Sequence, residues 1–313
     1  MAEYLVTGGA GFIGGHLAER LVRDGHSVRI LDNFSSGREA NLRGWGERAE
    51  ILRDDIRDRA AVARAMTGVR VIFHLAALPS VPKSVADPLT SHDINVNGTL
   101  NILLAARDAR VQRVVFTSSS AVYGDSPALP KRENMTPTPI SPYGLHKLIG
   151  EQYCELFTRA YALPTVSLRY FNVYGPRQDP QSEYAAAIPK FITCLLAGRA
   201  PTVFGDGQQT RDFTYVANVV DANLAATAAG PNAIGQTFNI ADGRRISVND
   251  LIATLNTILG SAIAPAHAPP RAGDVLHSLA DVTKARHLLN HASRIELAEG
   301  LRRTIATFRI ASR

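Results

Sequence analysis

The stretch YLVTGGAGFIGGHLAERL, residues 4–21, decides the fold. It runs from a short apolar segment through a glycine-rich turn into an amphipathic pattern, which predicts a strand, a turn and a helix. Gly8, Gly11 and Gly14 are spaced GxxGxxG. Glycines at this spacing permit a tight turn, the close approach of a pyrophosphate and close packing of helix on strand. The stretch therefore predicts a dinucleotide site near residue 8.

The next apolar run, SVRIL, ends in Asp32. At the end of this strand a carboxylate can accept hydrogen bonds from both hydroxyls of an adenosine ribose. The same negative charge would repel a 2′-phosphate. Asp32 therefore predicts NAD, rather than NADP, as the cofactor.

Apolar, β-rich runs recur along the first half of the chain, and helical patterns lie between several of them. This alternation predicts an α/β fold, a Rossmann-type doubly wound parallel sheet with helices on both faces. The predicted strands are EYLVT, SVRIL, AEIL, VRVIFHL, RVVFTSS and PTVSLRY, and the predicted helices are 11–24, 59–67, 96–108 and 142–161.

After about residue 174 the pattern loosens into segments rich in proline and glycine, with helices between them. We expect residues 1–173 to form the NAD-binding domain, which also receives segments near 212–241. Residues 174–313 are then mainly a smaller α/β domain that binds the substrate. Ligands of an open parallel sheet bind beyond the carboxyl ends of its strands, so polar residues at those ends are the candidates for a site.

Further strand ends supply surface for the cofactor. Asp55 and Ile56 follow AEIL, where an adenine could pack. Ala76 and Ala77 follow VRVIFHL, and their small side chains permit a close approach to the backbone. Asn95 in INVNGT lies on a helix that we expect to run beneath the cofactor.

The segment SPYGLHK, residues 141–147, places Tyr143 and Lys147 one helical turn apart on the same face. A tyrosine titrates near pH 10, and a neighbouring ammonium favours its phenolate. Such a pair could take a proton from an alcohol. The same spacing also arises between two surface residues with no role, so the pair gains meaning only from the rest of the chain.

The composition excludes some classes of function. The net charge is +6, but the basic residues are scattered and do not form the clustered face that nucleic acid requires. Cys154 and Cys194 lack metal-ligand spacing, which predicts reduced thiols and no metal site. A predicted strand begins almost at once, so we expect no signal peptide, and the apolar runs are too short to cross a membrane. We expect a cytoplasmic protein.

Eight features in order carry a resemblance to a known family: TGGAGFIG, Asp32, DIRD, NVNGT, SSSAVYG, SPYGLHK, LRYFNVYGPRQ and GDGQQTRDF. They resemble the extended short-chain dehydrogenase/reductases, and within them the nucleotide-sugar 4-epimerases, over essentially all 313 residues. The resemblance implies a Rossmann domain with tightly bound NAD and a C-terminal domain that holds a UDP-sugar. It also implies a homodimer packed through a four-helix bundle to which helix 142–161 contributes.

The resemblance assigns the catalytic residues. It implies that Tyr143 is the base and that Lys147 holds the nicotinamide ribose while lowering the pKa of the tyrosine. Ser119, three positions before the Val of VYG, takes the place of the catalytic Ser or Thr and would bridge the sugar hydroxyl and Tyr143. Ser118 and Ser120 would be strand-end packing residues or cofactor contacts.

The resemblance also implies the remaining contacts. The cofactor residues would be Gly8, Gly11, Phe12, Ile13, Gly14, Asp32, Asn33, Ser36, Gly37, Asp55, Ile56, Leu75, Ala76, Ala77, Asn95, Ser118, Tyr143, Lys147 and Tyr170, the last near the nicotinamide. The substrate residues would be Ser80, Ser119, Asn172, Ala187, Val203, Phe204, Arg211, Arg271, Asp274 and Ser278. Arg211 and Arg271 would clamp the diphosphate, Asp274 would accept the uridine ribose hydroxyls, and Val203 and Phe204 would form the uracil wall.

The two positions that directly follow Ser119 bear on the reaction. In the related dehydratases an Asp-Glu pair follows the catalytic Ser or Thr, and in decarboxylases a Glu lies two positions after it. Here these positions are Ser120 and Ala121, and neither can act as a general acid or base. The sequence therefore indicates that the hydride taken from C4 returns to the opposite face of a 4-keto sugar. The alternatives are a UDP-uronate 4-epimerase, a reductase or dehydratase with unusual residues, and an inactive NAD-binding regulator.

Ser278 bears on the choice of sugar. The resemblance implies that this position, four residues beyond Asp274, lines the pocket around the substituent at C2. A tyrosine there accompanies epimerases confined to UDP-glucose and UDP-galactose, whereas a small residue leaves room for an N-acetyl group. We expect interconversion of UDP-GlcNAc and UDP-GalNAc alongside UDP-Glc and UDP-Gal. The alternative is that another side chain fills the space beside Ser278.

Overall fold

The computed structural model describes residues 2–180, 187–270 and 275–311. Its strands are β1 (Tyr4–Thr7), β2 (Val28–Leu31), β3 (Glu50–Leu52), β4 (Val71–His74), β5 (Arg113–Ser119), β6 (Thr165–Tyr170), β7 (Val173–Tyr174), β8 (Thr202–Phe204), β9 (Thr210–Arg211), β10 (Thr214–Tyr215), β11 (Gln236–Ile240), β12 (Ile246–Ser247) and β13 (Ala266–Ala268).

Helices connect most of these strands. They are α1 (Phe12–Arg23), α2 (Arg59–Ala65), α3 (Val81–Ala86), α4 (Pro88–His92), α5 (Gly98–Asp108), α6 (Pro142–Tyr161), α7 (Ala187–Leu196), α8 (Val216–Ala228), α9 (Val248–Leu259), α10 (Thr283–Leu288) and α11 (Leu297–Ala311). None of the helices in the described ranges combines the length and the apolar character needed to cross a membrane.

Seven strands form one sheet in the order β11-β6-β5-β4-β1-β2-β3, and every neighbouring pair is parallel. The strand order reverses between β1 and β4, and this reversal opens a crevice at the carboxyl edge of the sheet. The predicted Rossmann-type α/β fold is confirmed. The strand ends that carry the candidate residues therefore lie along one edge.

Both faces of the sheet are covered by apolar packing. Helices α1 and α8 contact each other on one face, and their apolar residues share a core with residues of β1, β2 and β6. On the other face, α2, α5 and α6 build a second core with residues of β4 and β5. Because both faces are buried, the strands read as continuous apolar runs rather than alternating ones.

The six strands predicted from sequence are present, and the helix predicted at 142–161 has the observed bounds of α6. One predicted helix begins late: a π-helical turn, Asp93–Asn97, precedes α5, so the α-helix starts at Gly98 rather than Val96. In the π turn the Asn95 side chain is hydrogen-bonded to the backbone of Leu78. The sequence pattern of the helix cannot reveal a contact with a residue outside that helix.

A seventh strand, β11, joins the sheet from the C-terminal half and pairs with β6. The remaining short strands form three separate pairs, β7 with β10, β8 with β13 and β9 with β12. Helices α7, α9 and α11 pack over them around a core of their own. β8 and β9 carry three of the residues that the resemblance assigns to the UDP-sugar, Val203, Phe204 and Arg211.

Candidate active site

The glycine-rich turn brings the N-terminus of α1 onto the end of β1. Gly8 has φ +70°, and a Cβ on Gly14 would lie 2.1 Å from the Gly8 carbonyl oxygen. Phe12 and Ile13 open α1, and at Gly11 no side chain of the described residues caps the helix. Free N–H groups at a helix N-terminus attract anions. The turn therefore fits a pyrophosphate.

Asp32 lies just beyond β2, at the next strand end. Its carboxylate accepts hydrogen bonds from the backbone N–H of Ala10 at 2.9 Å and of Phe34 at 2.8 Å. Burial raises the pKa of the Asp32 carboxyl, and these two bonds oppose the shift. A Cβ on Gly37 would lie 2.7 Å from Asp32 Oδ1, and Ser36 beside it is exposed. The backbone thus fixes the carboxylate where a ribose would reach it.

Beside Asp32, two of the predicted adenine-side residues form a small polar cluster. Asn33 Nδ2 donates to Asp55 Oδ2 at 2.7 Å. Arg57 also bonds the Asp55 carboxylate and is the main reason that its pKa falls to about 2. Ile56 is buried, and a Cβ on Gly98 would lie 2.6 Å from its Cδ1. Ile56 therefore packs on α5, and Asp55 stays ionised above acid pH.

The segment after β4 passes close to the glycine-rich turn. The backbone nitrogen of Ala76 lies 2.8 Å from the position that a Cβ on the first glycine of the turn would take. Leu75 and Ala77 on either side are half-buried. Asn95 is 3% exposed, and its amide accepts from the N–H of Leu78 at 2.8 Å. Asn95 therefore holds this segment in place, rather than standing on a solvated helix surface.

The predicted catalytic residues meet where β5 ends and α6 begins. Ser119 is the last residue of β5, and its Oγ accepts the N–H of Ala121 at 3.1 Å. Tyr143 is the second residue of α6, and its N–H donates to Ser84 Oγ at 3.0 Å. Burial raises the pKa of the Tyr143 phenol, while hydrogen bonding to Ser119 opposes the shift. The structure thus brings together the serine and the tyrosine.

Lys147 lies one turn beyond Tyr143 on α6. Its Nζ donates to the carbonyl oxygen of Thr117 at 2.8 Å and lies 6.0 Å from the centre of the Tyr143 ring. Burial lowers the pKa of Lys147 to about 8. In the chain alone burial is the larger effect on the pKa of the Tyr143 phenol, and the lowering of that pKa by the Lys147 ammonium stays a prediction.

Two other residues predicted to touch the cofactor have their side chains engaged within the protein. Ser118 is 1% exposed and donates to Glu151. Tyr170 is 6% exposed, and its hydroxyl bonds Thr117 and Asn223. Both side chains are thus hydrogen-bonded within the protein, and their contacts with the cofactor stay predictions.

Three of the residues predicted to anchor the substrate lie on or beside the short strand pairs. Arg211, at the end of β9, donates to the carbonyl oxygen of Leu276 at 3.2 Å. Ser278 is half-buried, and its N–H donates to Thr210 O at 3.0 Å. Asn172 Nδ2 donates to the Asp212 carbonyl oxygen at 3.1 Å. Arg211 and Ser278 are therefore linked through Thr210. Asn172 is bonded to Asp212, the residue that follows Arg211 in the sequence.

The other substrate residues are more scattered. Val203 and Phe204 lie on β8, and Val203 is 1% exposed. Ala187 opens α7, and Ser80 caps α3 by accepting the N–H of Lys83 at 3.3 Å. The positions predicted to clamp the diphosphate and the uridine ribose, Arg271 and Asp274, lie outside the described residues.

Three residues of this region were missed by sequence reasoning. Asp212 is fully buried, accepts three backbone N–H bonds, and has a pKa that burial raises to about 7. Glu151 and Arg169 form a buried ion pair beneath the strand end. The spacing of Glu151 four residues after Lys147 was a visible signal, but its partner lies on another element and is not apparent from sequence.

Comparison with known proteins settles the family. Residues 4–241 match the model of the NAD dependent epimerase/dehydratase family. The chain belongs to this family. NAD is therefore its cofactor, as the glycine turn and Asp32 predict, and the resemblance seen in the sequence is confirmed.

Relatives in the family share nearly the whole chain. The UDP-glucose 4-epimerase of Mycolicibacterium smegmatis is 43% identical, over 97% of this chain and 98% of its own. A UDP-N-acetylglucosamine 4-epimerase from Methanobrevibacter ruminantium M1, solved with UDP-N-acetylmuramic acid, is 39% identical with a TM-score of 0.94 and covers 100% of both chains. The UDP-glucuronate 4-epimerase of Thermodesulfobacterium geofontis is 32% identical, over 97% of this chain and 95% of its own.

Proposed function

We propose that this protein inverts C4 of a UDP-hexose through a transient 4-keto sugar. The observation that carries the proposal is the assembly of Ser119, Tyr143 and Lys147 where β5 meets α6, along the same sheet edge as the glycine turn and Asp32. The names of the relatives in the family support a 4-epimerase. The residues that transfer the proton and the cofactor that takes the hydride can therefore act on the same bound sugar.

The chain's own residues handle the proton. Tyr143 takes the proton of the sugar 4-hydroxyl, and Ser119 hydrogen-bonds the same oxygen and the phenol. Lys147 contributes a fixed positive charge, held by its bond to Thr117. When bound, NAD supplies the hydride acceptor and a positively charged ring that favours the phenolate. On return, Tyr143 gives the proton back to the inverted oxygen.

Nothing at the two positions after Ser119 can support a further chemical step. Ser120 opens a 3₁₀ turn, and the Ala121 N–H is used by Ser119. Elimination of a 6-hydroxyl needs an acid and a base near C5 and C6, and these positions provide neither. Return of the hydride is the remaining outcome, which favours an epimerase over a dehydratase or a decarboxylase.

We propose that Arg211 and Arg271 bind the diphosphate, that Asp274 accepts the uridine ribose hydroxyls, and that Val203 and Phe204 face the uracil. Guanidinium groups suit a diphosphate because they offer several fixed donors. The sugar then extends from this anchor to the catalytic residues. Residues 174–313 would thus serve mainly as the substrate domain.

The reaction is tested by mixing purified protein with single UDP-sugars and separating the products. UDP-Glc/UDP-Gal, UDP-GlcNAc/UDP-GalNAc and UDP-glucuronate are supplied separately, first without added NAD. We expect interconversion of the first two pairs because the cofactor is regenerated in each cycle. Turnover of UDP-glucuronate alone would favour the uronate epimerase. Failure with every sugar, even with NAD added, would favour the inactive NAD-binding regulator.

We further propose that UDP-GlcNAc and UDP-GalNAc are accepted because Ser278 leaves room at C2. Ser278→Tyr should raise KM for the acetamido sugars at least about tenfold and spare UDP-Glc and UDP-Gal, because an overpacked site has little room to relax. Ser278→Ala is the matched control and should keep both activities. If wild type turns over neither acetamido sugar, the size argument fails.

We also propose a homodimer built on α6 and its neighbours. Several large apolar side chains on this side of the molecule are exposed. They are Val85 (61%), Leu89 (83%), Leu145 (46%), Leu156 (51%) and Tyr161 (50%). Apolar surface of this kind is typical of a contact between subunits, and a four-helix bundle would cover it.

A further inference from the structure

A fully buried ion pair lies beneath the candidate catalytic residues. Arg169 Nε donates to Glu151 Oε1 at 2.8 Å, and Arg169 Nη2 donates to Oε2 at 2.6 Å. The side chains are 4% and 5% exposed. The Arg169 guanidinium also lies 4.7 Å from the centre of the Tyr123 ring. A bidentate pair removed from water in this way needs well-fixed geometry to offset the loss of hydration.

The pair joins β6 to the two elements that carry the candidate catalytic residues, α6 and β5. Glu151 lies on α6, one turn beyond Lys147, and Arg169 lies on β6. Ser118 on β5 donates to the Glu151 carboxylate and directly precedes Ser119. One carboxylate thus fixes the helix that presents the base and the strand that presents the serine.

The same carboxylate acts on the charge of Lys147. Four titratable groups lie around Lys147: His74 on β4, and Tyr143, Glu151 and Cys154 on α6. Arg169 on β6 lies behind Glu151. Burial lowers the pKa of His74 to about 3 and raises that of Cys154 to about 12. Both groups are therefore neutral near pH 7, as is the Tyr143 phenol. Cys154 and then Glu151, both within two turns of Lys147 on α6, oppose its deprotonation, and Glu151 is the one of the two that is ion-paired with Arg169.

We infer that the Glu151–Arg169 pair is a positioning unit for the proposed epimerase: it locks α6 against β5 and β6 and keeps Lys147 charged. This inference rests on the proposed function for its effect on turnover, but not for its effect on Lys147. Glu151 and Arg169 need not touch the sugar. Their loss should lower kcat and leave KM for the UDP-sugar within about twofold, because the substrate anchors lie on other elements.

The charge of Lys147 can be followed directly by NMR with ¹³C-labelled lysine, because the chain has only five lysines. Lys147→Arg identifies the signal. In Glu151→Gln the midpoint of the Lys147 titration should fall by about one pH unit, since an opposite charge nearby favours the ammonium. Glu50→Gln removes a carboxylate from another ion pair of the same sheet, with Arg29, and should leave the midpoint unchanged.

A charge-free double variant separates positioning from stability. Removal of Glu151 alone leaves the Arg169 charge buried and can unfold the protein, whereas two apolar residues of similar size are often tolerated. In Glu151→Met/Arg169→Met we expect a Tm close to wild type, a kcat at least about tenfold lower, and a Lys147 midpoint that falls less than in Glu151→Gln, because the Arg169 cation is removed as well. The alkaline limb of the kcat profile should move to lower pH with the Lys147 midpoint.

The outcomes are distinct. A double variant with wild-type kcat, pH profile and Lys147 midpoint would overturn the inference. Loss of kcat that merely follows a falling Tm, with an unchanged midpoint, would overturn it as well, because the pair would then serve stability only. If wild type fails to convert any UDP-sugar, the proposed function fails, and the Lys147 midpoints in wild type and Glu151→Gln still decide whether the pair controls this charge.

Discussion

At the scale of single residues, burial is the main influence on the pKa of Tyr143 in the chain alone. Burial raises the pKa of the phenol, and Lys147 Nζ is bonded to Thr117 instead of the phenol oxygen. The sequence pattern correctly predicts which residues meet, since Tyr143 and Lys147 share one helix face. It does not predict the balance of desolvation and charge, because that depends on residues that pack over the pair from β4 and β5.

Tyr143→Phe should abolish most activity. Removal of the hydroxyl deletes the proposed base, and loss of general acid–base catalysis lowers kcat about 10²- to 10⁴-fold. KM should change little because the substrate anchors lie elsewhere. Steady-state rates with the best UDP-sugar measure both effects, and Tyr161→Phe, at an exposed tyrosine of the same helix, is the control. Near-normal kcat in Tyr143→Phe would remove Tyr143 as the base.

At the scale of elements, α6 must lie close to β5 for the site to form. A Cβ on Gly150 would be 2.3 Å from Cζ of Phe116, and a Cβ on Gly144 would be 2.7 Å from the Ala121 carbonyl oxygen. Two glycines of α6 therefore let the helix approach β5 and the turn that follows it. The helix bounds were predictable from sequence, but this separation between helix and strand was not, because it is set by side chains on both elements.

Gly150→Ala should separate α6 from β5. The added methyl group clashes with a buried ring, and overpacking of this kind costs about 1–3 kcal/mol. We expect that loss in the free energy of unfolding, measured with denaturant, together with a lower kcat, because Lys147 and Tyr143 move with the helix. Gly230→Ala is the control, since a Cβ there meets no atom of the described residues within 4 Å. Equal free energies of unfolding of the two variants would contradict the close packing of α6 on β5.

At the scale of the whole molecule, the presence of the first six strands followed from the alternation of patterns. The alternation did not reveal the seventh strand, β11, although it lies within the segments near 212–241 that we expected to join this domain. β11 is short and includes Asn239, which is fully buried and bonds Tyr123 and the backbone of Lys131. A polar residue inside a short strand weakens the apolar signal on which prediction depends. Its place beside β6 depends on contacts more than 60 residues apart along the chain.

The proposed homodimer gives a prediction at this scale. Leu156→Glu places a charge in an exposed apolar region of α6 and should shift the protein from dimer to monomer in sedimentation measurements. Burial of an unpaired charge in an interface is costly. Leu288→Glu, at an exposed leucine of α10, is the matched control and should remain a dimer. A wild-type protein that is monomeric at micromolar concentration would contradict the bundle.

The most direct test of the proposed reaction follows a label at the reacting carbon. The protein is incubated with its best UDP-sugar carrying deuterium at C4, in ordinary water and without a second substrate. The proposed mechanism predicts that the C4 epimer forms with deuterium still on C4, because the hydrogen leaves and returns as a hydride without meeting solvent. Product with hydrogen at C4, or solvent hydrogen incorporated at C5, would contradict a simple return of the hydride.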